Sequence, residues 1–322
     1  MNLLPPVHAA GSRRALVVAL TLSGLTAGCA EGFDPYNRLG EFRVLAVRSE
    51  PVAPGPGETT TIDALIHLPP GDAVTSYRWS WCPYTGASSQ GYPCLIDEED
   101  LAALAGGDDF PPYDLGTGET ATFEHTLDPA LLASVCATSA DVGEADLLDC
   151  SEGFPARVTL TVESESGAQV EAVRLLHLRF DDDQEPNQNP TVTGLRAVLD
   201  AGEEVIGPEP TVTLTRNQET VVRADVPEEA IESYTGVDDE GEPEERVEEL
   251  VLTWFIESGD MKSQRTVFLD GIEPLSDAVE NEWEPDGVDD YERDTSKIYV
   301  IVRDDRDGVA WFGGEVALGE AP

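Results

Sequence analysis

Short runs of alternating apolar and polar residues limit the fold of this 322-residue chain more than any other feature of its sequence. In residues 157–163, Val158, Leu160 and Val162 lie on one side and polar residues lie on the other. Because successive side chains of a strand point to opposite faces, such runs predict antiparallel sheets that each bury one face. We predict strands over residues 42–47, 61–68, 77–81, 123–127, 157–163, 169–180, 191–199, 220–226, 250–256 and 297–302.

Two longer stretches interrupt this alternation in the first half of the chain. Residues 82–120 are rich in Gly and Pro, and a short helix is predicted within them over residues 98–105. Asp128 followed by Pro129 is typical of a helix start, with the aspartate as N-cap and the proline in the first turn. A second helix is therefore predicted over residues 130–137.

The second half of the chain repeats the order of features of the first half. Trp254 takes the place of Trp79 on a central strand. The last predicted strand leads into a turn that ends at Gly308, much as its counterpart in the first half leads into a turn that ends at Gly167. A repeated order of this kind indicates two copies of one domain type. The predicted fold is all-β, with two tandem antiparallel sandwiches and loop and short-helix insertions in the first.

The first 29 residues have the three parts of an export signal. Arg13 and Arg14 are positively charged, residues 15–26 are uncharged and mainly apolar, and small residues then lead to Cys29. The apolar run has 12 residues, whereas a membrane-spanning helix needs about 20. The segment is therefore predicted to direct export and not to span the membrane.

Residues 25–29, Leu-Thr-Ala-Gly-Cys, resemble the lipobox of bacterial lipoproteins. In that family the cysteine thiol carries a diacylglycerol, and the signal is cut before it. The resemblance implies a signal peptide over residues 1–28, lipidation of Cys29, and a tether over residues 29–41 that attaches the protein to the membrane through lipid. Ala30 is similar to the type directed to the outer membrane, on either its periplasmic or its surface face. A plain secretory signal with a chance cysteine is the alternative.

Four cysteines follow the export signal: Cys82, Cys94, Cys136 and Cys150. An even set in an exported chain predicts two disulfides, and no metal-binding spacing indicates a zinc site. The local pairing Cys82–Cys94 and Cys136–Cys150 is favoured, since short loops lose the least entropy on closing. A cross-link between the two irregular stretches is the alternative.

The charge of the chain excludes some partners. It has 64 acidic and 19 basic residues, for a formal net charge of −45. Like charges repel, so we expect no binding to nucleic acid or to an anionic membrane surface.

A strand tryptophan, a late hairpin and the repeat resemble bacterial Ig-like domains. Residues 77–79, Tyr-Arg-Trp, are similar to a strand of the PKD-type surface modules, but Cys-Pro-Tyr at residues 82–84 stands where that family has Gly-Asp-Gly. The resemblance implies Ig-like sandwiches over residues 42–180 and 191–322, joined by an acidic linker at residues 181–190. It implies use in adhesion, scaffolding or ligand binding, and it transfers no catalytic residue.

The linker also resembles the cadherin linker, which holds calcium between successive sandwiches. Calcium takes six to eight oxygen ligands from carboxylates, amides and backbone carbonyls. The candidate ligands are Asp181, Asp182, Asp183, Asn187 and Asn189. A solvated acidic linker without bound metal is the alternative.

Histidines and tryptophans are the remaining candidates for a site. The three histidines beyond the signal lie in separate strand-like runs and are expected on strand surfaces: His67, His125 and His177. The tryptophans at strand alternation are predicted core residues, with a sugar-binding platform as the alternative: Trp79, Trp81 and Trp254.

Two classes of function remain. The first is a non-catalytic envelope or surface protein that binds a protein or a polysaccharide, and we favour it because no catalytic motif is present. The second is an envelope enzyme of the hydrolase type, with its site in the insertions between residues 82 and 150. Calcium is the one cofactor to consider.

Overall fold

Nineteen β-strands and three α-helices form in the residues that the computed structural model describes, which are 35–86, 91–105, 110–141, 150, 152–181, 186–237 and 242–320. The predicted signal peptide and Cys29 lie outside the described residues. The all-β fold class is confirmed, since strands dominate and nearly all their pairings are antiparallel.

The first half of the chain folds into a sandwich of two antiparallel sheets. Its strands are β1 (Arg43–Glu50), β2 (Thr59–His67), β3 (Val74–Cys82), β4 (Asp114–Gly116), β5 (Ala121–Glu124), β6 (Phe154–Ser164) and β7 (Gln169–Leu178). One sheet has the order β1-β2-β5, and the other has the order β4-β3-β6-β7. The predicted inward residues form its core, with Trp79 and Leu160 completely buried and Trp81 nearly so. The core prediction for these tryptophans is confirmed.

The two irregular stretches contain helices and disulfides where the sequence predicts them. Helix α1 spans Glu98–Ala105 and helix α2 spans Pro129–Asp141. The Asp128 side chain accepts a hydrogen bond from the Ala130 amide at 2.9 Å, as an N-cap does. The disulfides join Cys82 to Cys94 and Cys136 to Cys150, which confirms the local pairing.

The second half folds into a larger sandwich. Its elements are β8 (Leu195–Leu199), β9 (Gly202–Ile206), β10 (Thr213–Thr215), β11 (Thr220–Ala224), β12 (Ser233–Val237), β13 (Pro243–Val247), β14 (Leu250–Ile256), β15 (Asp260–Met261), β16 (Arg265–Phe268), α3 (Leu275–Ala278), β17 (Glu280–Glu284), β18 (Thr295–Asp304) and β19 (Val309–Gly319). One sheet has the order β15-β17-β11-β8-β9 and the other β10-β19-β18-β14-β16, while β12 and β13 form a separate hairpin. Trp254 lies at the centre of its core, as predicted.

The two sandwiches share one topology. Strands β1, β2 and β5 correspond to β8, β11 and β17, and the order β4-β3-β6-β7 corresponds to β16-β14-β18-β19. Trp79 lies opposite Leu160, and Leu160 opposite Ala172, in the same register as Trp254, Val300 and Phe312. The hairpins β6–β7 and β18–β19 therefore match residue for residue.

This register corrects one detail of the predicted repeat. The counterpart of Gly167 is Asp307 and not Gly308, since both Gly167 and Asp307 have left-handed backbone angles, with φ of 82° and 70°. Aspartate tolerates this conformation better than most residues do.

A third apolar cluster joins the two sandwiches. Leu45 and Ala46 of β1 pack there against Phe255 and Ile301 of the second sandwich. The sequence predicts residues 36–41 as part of the tether, but Leu39 is buried in this cluster and its amide donates to the Ile256 carbonyl at 2.7 Å. Apolar burial explains why this end of the segment is held against the sandwich.

Candidate functional site

A cleft of ≈ 420 Å³ lies between β1 and β7, the edge strands of the two sheets of the first sandwich. Residues 44–47 of β1 and 172–175 of β7 form two of its walls. Tyr92, in the loop closed by the first disulfide, and the turn between β18 and β19 complete its lining. We call this space the arginine cleft, after Arg157, Arg174 and Arg303.

The three arginines come from both sandwiches. Arg157 lies on β6, Arg174 on β7 and Arg303 on β18. The Arg157 guanidinium stacks on Tyr92 at 4.0 Å from the ring centre, and Arg303 donates to the Leu45 carbonyl at 3.2 Å. Among the described residues, none of the three arginines forms an ion pair. In the described part of the chain, no carboxylate therefore lies within ion-pair distance of these three guanidinium groups.

Arg174 is the most buried of the three, with 7% of its surface exposed. Its Nη2 donates to the Asp307 carbonyl and to the Ser49 hydroxyl, the latter at 3.4 Å. Its Nε is buried without a hydrogen-bond partner in the described part of the chain. Burial lowers the pKa of Arg174, the charges of Asp307 and Asp304 raise it, and Arg303 lowers it further. The guanidinium remains charged at neutral pH, because its pKa starts far above that range.

Local sequence explains how a charge reaches this position. On β7 the residues that face the core include Ala172 and Leu176, and Arg174 occupies the inward position between them. Its partner across the ladder, Val158, is a core residue. On the opposite wall, the register of β1 shifts at Leu45, which is a β-bulge. The bulge bends the strand edge and leaves the Leu45 carbonyl for Arg303.

The two carboxylates of the cleft are engaged elsewhere. Asp307 accepts from His177 Nε2 at 2.9 Å. Asp304 accepts from the amides of Arg306 and Gly308 at 2.9 and 2.6 Å. Burial raises the pKa of Asp304 to about 6, against these hydrogen bonds, which lower it.

The corresponding gap of the second sandwich is closed. Strand β10 pairs in parallel with β19, with Thr213 opposite Ala317, and the Glu315 amide donates to the Gly207 carbonyl at 2.8 Å. Leu214 of β10 is completely buried in the second core. The edge of β19 that matches the open edge of β7 is therefore covered by chain.

The two gaps differ in the residue at one matched position of the hairpins. The counterpart of Arg174 is Gly314, since Ile298 lies opposite Gly314 as Val158 lies opposite Arg174. A Cβ at Gly314 would lie 2.7 Å from Ile206 Cγ2 and 2.8 Å from the Gly207 carbonyl oxygen. Glycine lets the segment after β9 approach β19, and an arginine stands at the same position where the gap is open.

The proposed lipidation and calcium residues are only partly placed. Cys29, Asp182 and Asp183 lie outside the described residues, and Asp181 is exposed. The side-chain amide of Asn187 donates to the Arg306 carbonyl at 2.9 Å, and the side-chain amide of Asn189 donates to the Ser49 carbonyl at 2.8 Å. These hydrogen bonds tie the linker to both sandwiches. In the described part of the chain, no three acidic, histidine or cysteine side chains are grouped to hold a metal, and calcium binding stays a prediction.

The expected surface position of the histidines is wrong. His67, His125 and His177 are all buried. His125 Nε2 lies 3.0 Å from the Arg179 carbonyl, and His67 Nε2 lies 3.9 Å from Glu257 across the junction. Burial lowers the pKa of His67 to about 4, against the charge of Glu257. The partners lie far away in sequence, so alternation could not reveal them.

Another cavity, of ≈ 740 Å³, lies beside the insertions of the first sandwich. Phe110, Asp114, Leu115, Phe123 and Glu124 are among its lining residues. Its described lining contains no histidine, cysteine, lysine or arginine.

Comparison with known proteins adds little to this geometry. No protein-family model matches the chain, and no characterised protein matches it in sequence. Among solved structures, the chain is similar to murine CEACAM1b, with 9% identity and a TM-score of 0.21 over 87% of this chain and 100% of that one. It is also similar to the three N-terminal domains of the Highly Immunogenic Outer Capsid protein (Hoc) of bacteriophage RB49, with 12% identity and a TM-score of 0.18 over 88% and 71%. The strand pairings, and not these likenesses, establish the fold.

Proposed function

We propose that this chain is a non-catalytic binding protein of the bacterial cell envelope, anchored by lipid on Cys29 to the outer membrane, and that the arginine cleft is its binding site. The observation that carries the binding function is the pair of lateral gaps. One copy of the fold closes the gap with an added strand, and the other copy leaves it open. An unfilled gap gives up packing energy, and such losses persist in proteins where function needs them.

The lining of the cleft supports binding over catalysis. It offers guanidinium donors, a tyrosine ring and aliphatic side chains, while its two carboxylates are held by hydrogen bonds within the fold. Binding sites commonly combine an apolar wall with a few fixed polar groups. The volume suits a small molecule or the end of a larger ligand.

The lipid anchor is supported by the lipobox-like sequence before Cys29. No helix among the described residues is long and apolar enough to cross a membrane. Attachment would then depend on the acyl chains at Cys29.

Photo-crosslinking tests the binding function in the native envelope. A photoreactive phenylalanine analogue replaces Val173, which lines the cleft, or Gln169, which is exposed on the same strand. We expect the lipidated protein to form a discrete adduct from position 173 and none from position 169, as read by mass spectrometry. The proposal fails if neither position, or both positions alike, give adducts.

Fractionation tests the anchor separately. The Cys29→Ser protein is expected to leave the membrane fraction, while the unaltered protein stays there after a salt wash. Retention of Cys29→Ser in washed membranes would contradict the anchor.

A further inference from the structure

We infer that the arginine cleft takes a small organic anion, whose oxyanion group lies against Arg174 and Arg303. This rests on the proposed binding function and specifies the chemistry of the ligand.

Most other arginines that the structure describes form an ion pair, although Arg43, Arg78 and Arg265 do not. Arg48 pairs with Asp63 at 2.6 Å, Arg179 with Glu58 at 3.0 Å and Arg196 with Asp225 at 2.8 Å. The chain has 64 acidic and 19 basic residues, so an arginine meets a carboxylate easily. Three arginines that share one cleft without an ion pair among the described residues leave that role to a ligand.

Arg174 is buried with incomplete pairing. The residue is more than nine-tenths buried, and its Nε is closed to solvent and has no partner among the described residues, so an anion in the cleft would meet the other nitrogens of the guanidinium. Burying a cation without full pairing is costly, and a charge-assisted hydrogen bond to an anion would offset that cost. A guanidinium presents its donors as a planar fork that matches carboxylate, sulfate and phosphate oxygens.

The cleft also has an apolar lining that can contact the rest of the ligand. Val44, Val47 and Val173 provide aliphatic surface beside the guanidinium groups, and Tyr92 provides an aromatic edge. An inorganic ion would leave this surface uncovered. The lining therefore fits an organic anion with an apolar body.

The net charge of the chain sharpens the test. At −45 the protein repels anions at long range, so non-specific uptake of an anion is disfavoured. A saturable anion signal must then come from local contacts.

The experiment is calorimetric titration of the oxidised full-length mature chain at constant ionic strength. The probes are sodium benzoate, sodium sulfate and inorganic phosphate, and benzamide is the neutral match of benzoate. We expect benzoate to bind saturably with one site per chain, and benzamide to bind at least about tenfold more weakly, since one charge-assisted hydrogen bond is worth that much. Sulfate and phosphate are expected to compete with benzoate.

Variants locate the site. Arg303→Gln should weaken benzoate binding by about tenfold. Arg78→Gln removes the same charge from an exposed position of β3 and should leave binding unchanged. Thermal melts confirm that each variant is folded.

Three results would overturn the inference: no saturable binding of benzoate, sulfate or phosphate; equal binding of benzoate and benzamide; or equal effects of Arg303→Gln and Arg78→Gln. A crosslink from position 173 together with any of them would leave the binding function standing and reject only the anion.

Discussion

Each sandwich has a lateral gap at the same position of the shared topology. The gap is open in the first sandwich and closed in the second. In the second sandwich, β10 and the segment after β9 cover the edge of β19, and Leu214 fills the space behind it. Among the described residues of the first sandwich, no strand pairs with the outer edge of β7, and Arg174 stands where the second sandwich has Gly314. The comparison indicates that the closed gap is sealed by packing, whereas the open gap has a polar residue at the matching inward position.

Removing the side chain that fills the closed gap should have the largest effect on stability. Leu214→Ala removes a completely buried side chain, so we expect a loss of about 2–5 kcal/mol in the free energy of unfolding. Denaturant melts measure it. Val205→Ala, at a residue of β9 that is 56% exposed, is the control and should change stability by less than about 0.5 kcal/mol. Equal effects of the two substitutions would mean that Leu214 does not fill the gap.

Overpacking the closed gap should have the second-largest effect on stability. Gly314→Ala places a Cβ against the Ile206 side chain and the Gly207 carbonyl, and overpacking of this kind costs about 1–3 kcal/mol. Gly207→Ala meets nothing within 4 Å and serves as the matched control. If Gly314→Ala melts like the unaltered protein, the close approach is not what seals this gap.

The turns beside the two gaps should differ in pH response. Burial raises the pKa of Asp304 to about 6 from its ordinary 3.8, and its counterpart in the first sandwich is Ser164, which does not titrate. Between about pH 4 and pH 6, the Asp304 carboxyl is protonated in the folded protein and ionised in the unfolded protein. The stability from this group is therefore full below about pH 4 and is lost as pH rises through about 6.

Asp304→Asn removes that titration. Between pH 4 and pH 7.5, the free energy of unfolding of Asp304→Asn should rise relative to that of the unaltered protein by on the order of 2 kcal/mol. Melts at several pH values measure this difference. Titrating groups that do not interact with Asp304 cancel in the difference, whereas Glu248, whose pKa the charge of Asp304 helps to raise, contributes to it. Parallel pH profiles would contradict the assignment.

The smallest stability effect is expected at Arg174. Arg174→Met keeps a long side chain and removes a buried charge without an ion pair, so we expect a change within about 1 kcal/mol, or a gain. Benzoate binding should be lost at the same time. A loss of several kcal/mol would show that Arg174 supports the fold, and the open gap would then need no ligand to explain it.

The sequence predicts the sandwiches well and the cleft poorly. Alternation identified Trp79 and Trp254 as core residues because a strand repeats every two positions. The added strands β9 and β10 are short and carry little alternation. The cleft lies between β6, β7 and a turn far along the chain, and no local sequence pattern predicts that contact. Its one local signal is Arg174, a charge at an inward position of β7.

The central claim is that the open gap binds a ligand and its closed counterpart does not. Diffraction from crystals soaked in 4-iodobenzoate tests this directly, because iodine marks its own position by anomalous scattering. We predict one strong iodine peak in the arginine cleft, with the carboxylate toward Arg174, and none between β9 and β19. An empty cleft beside occupied sites elsewhere, or peaks of equal height in both gaps, would contradict the account.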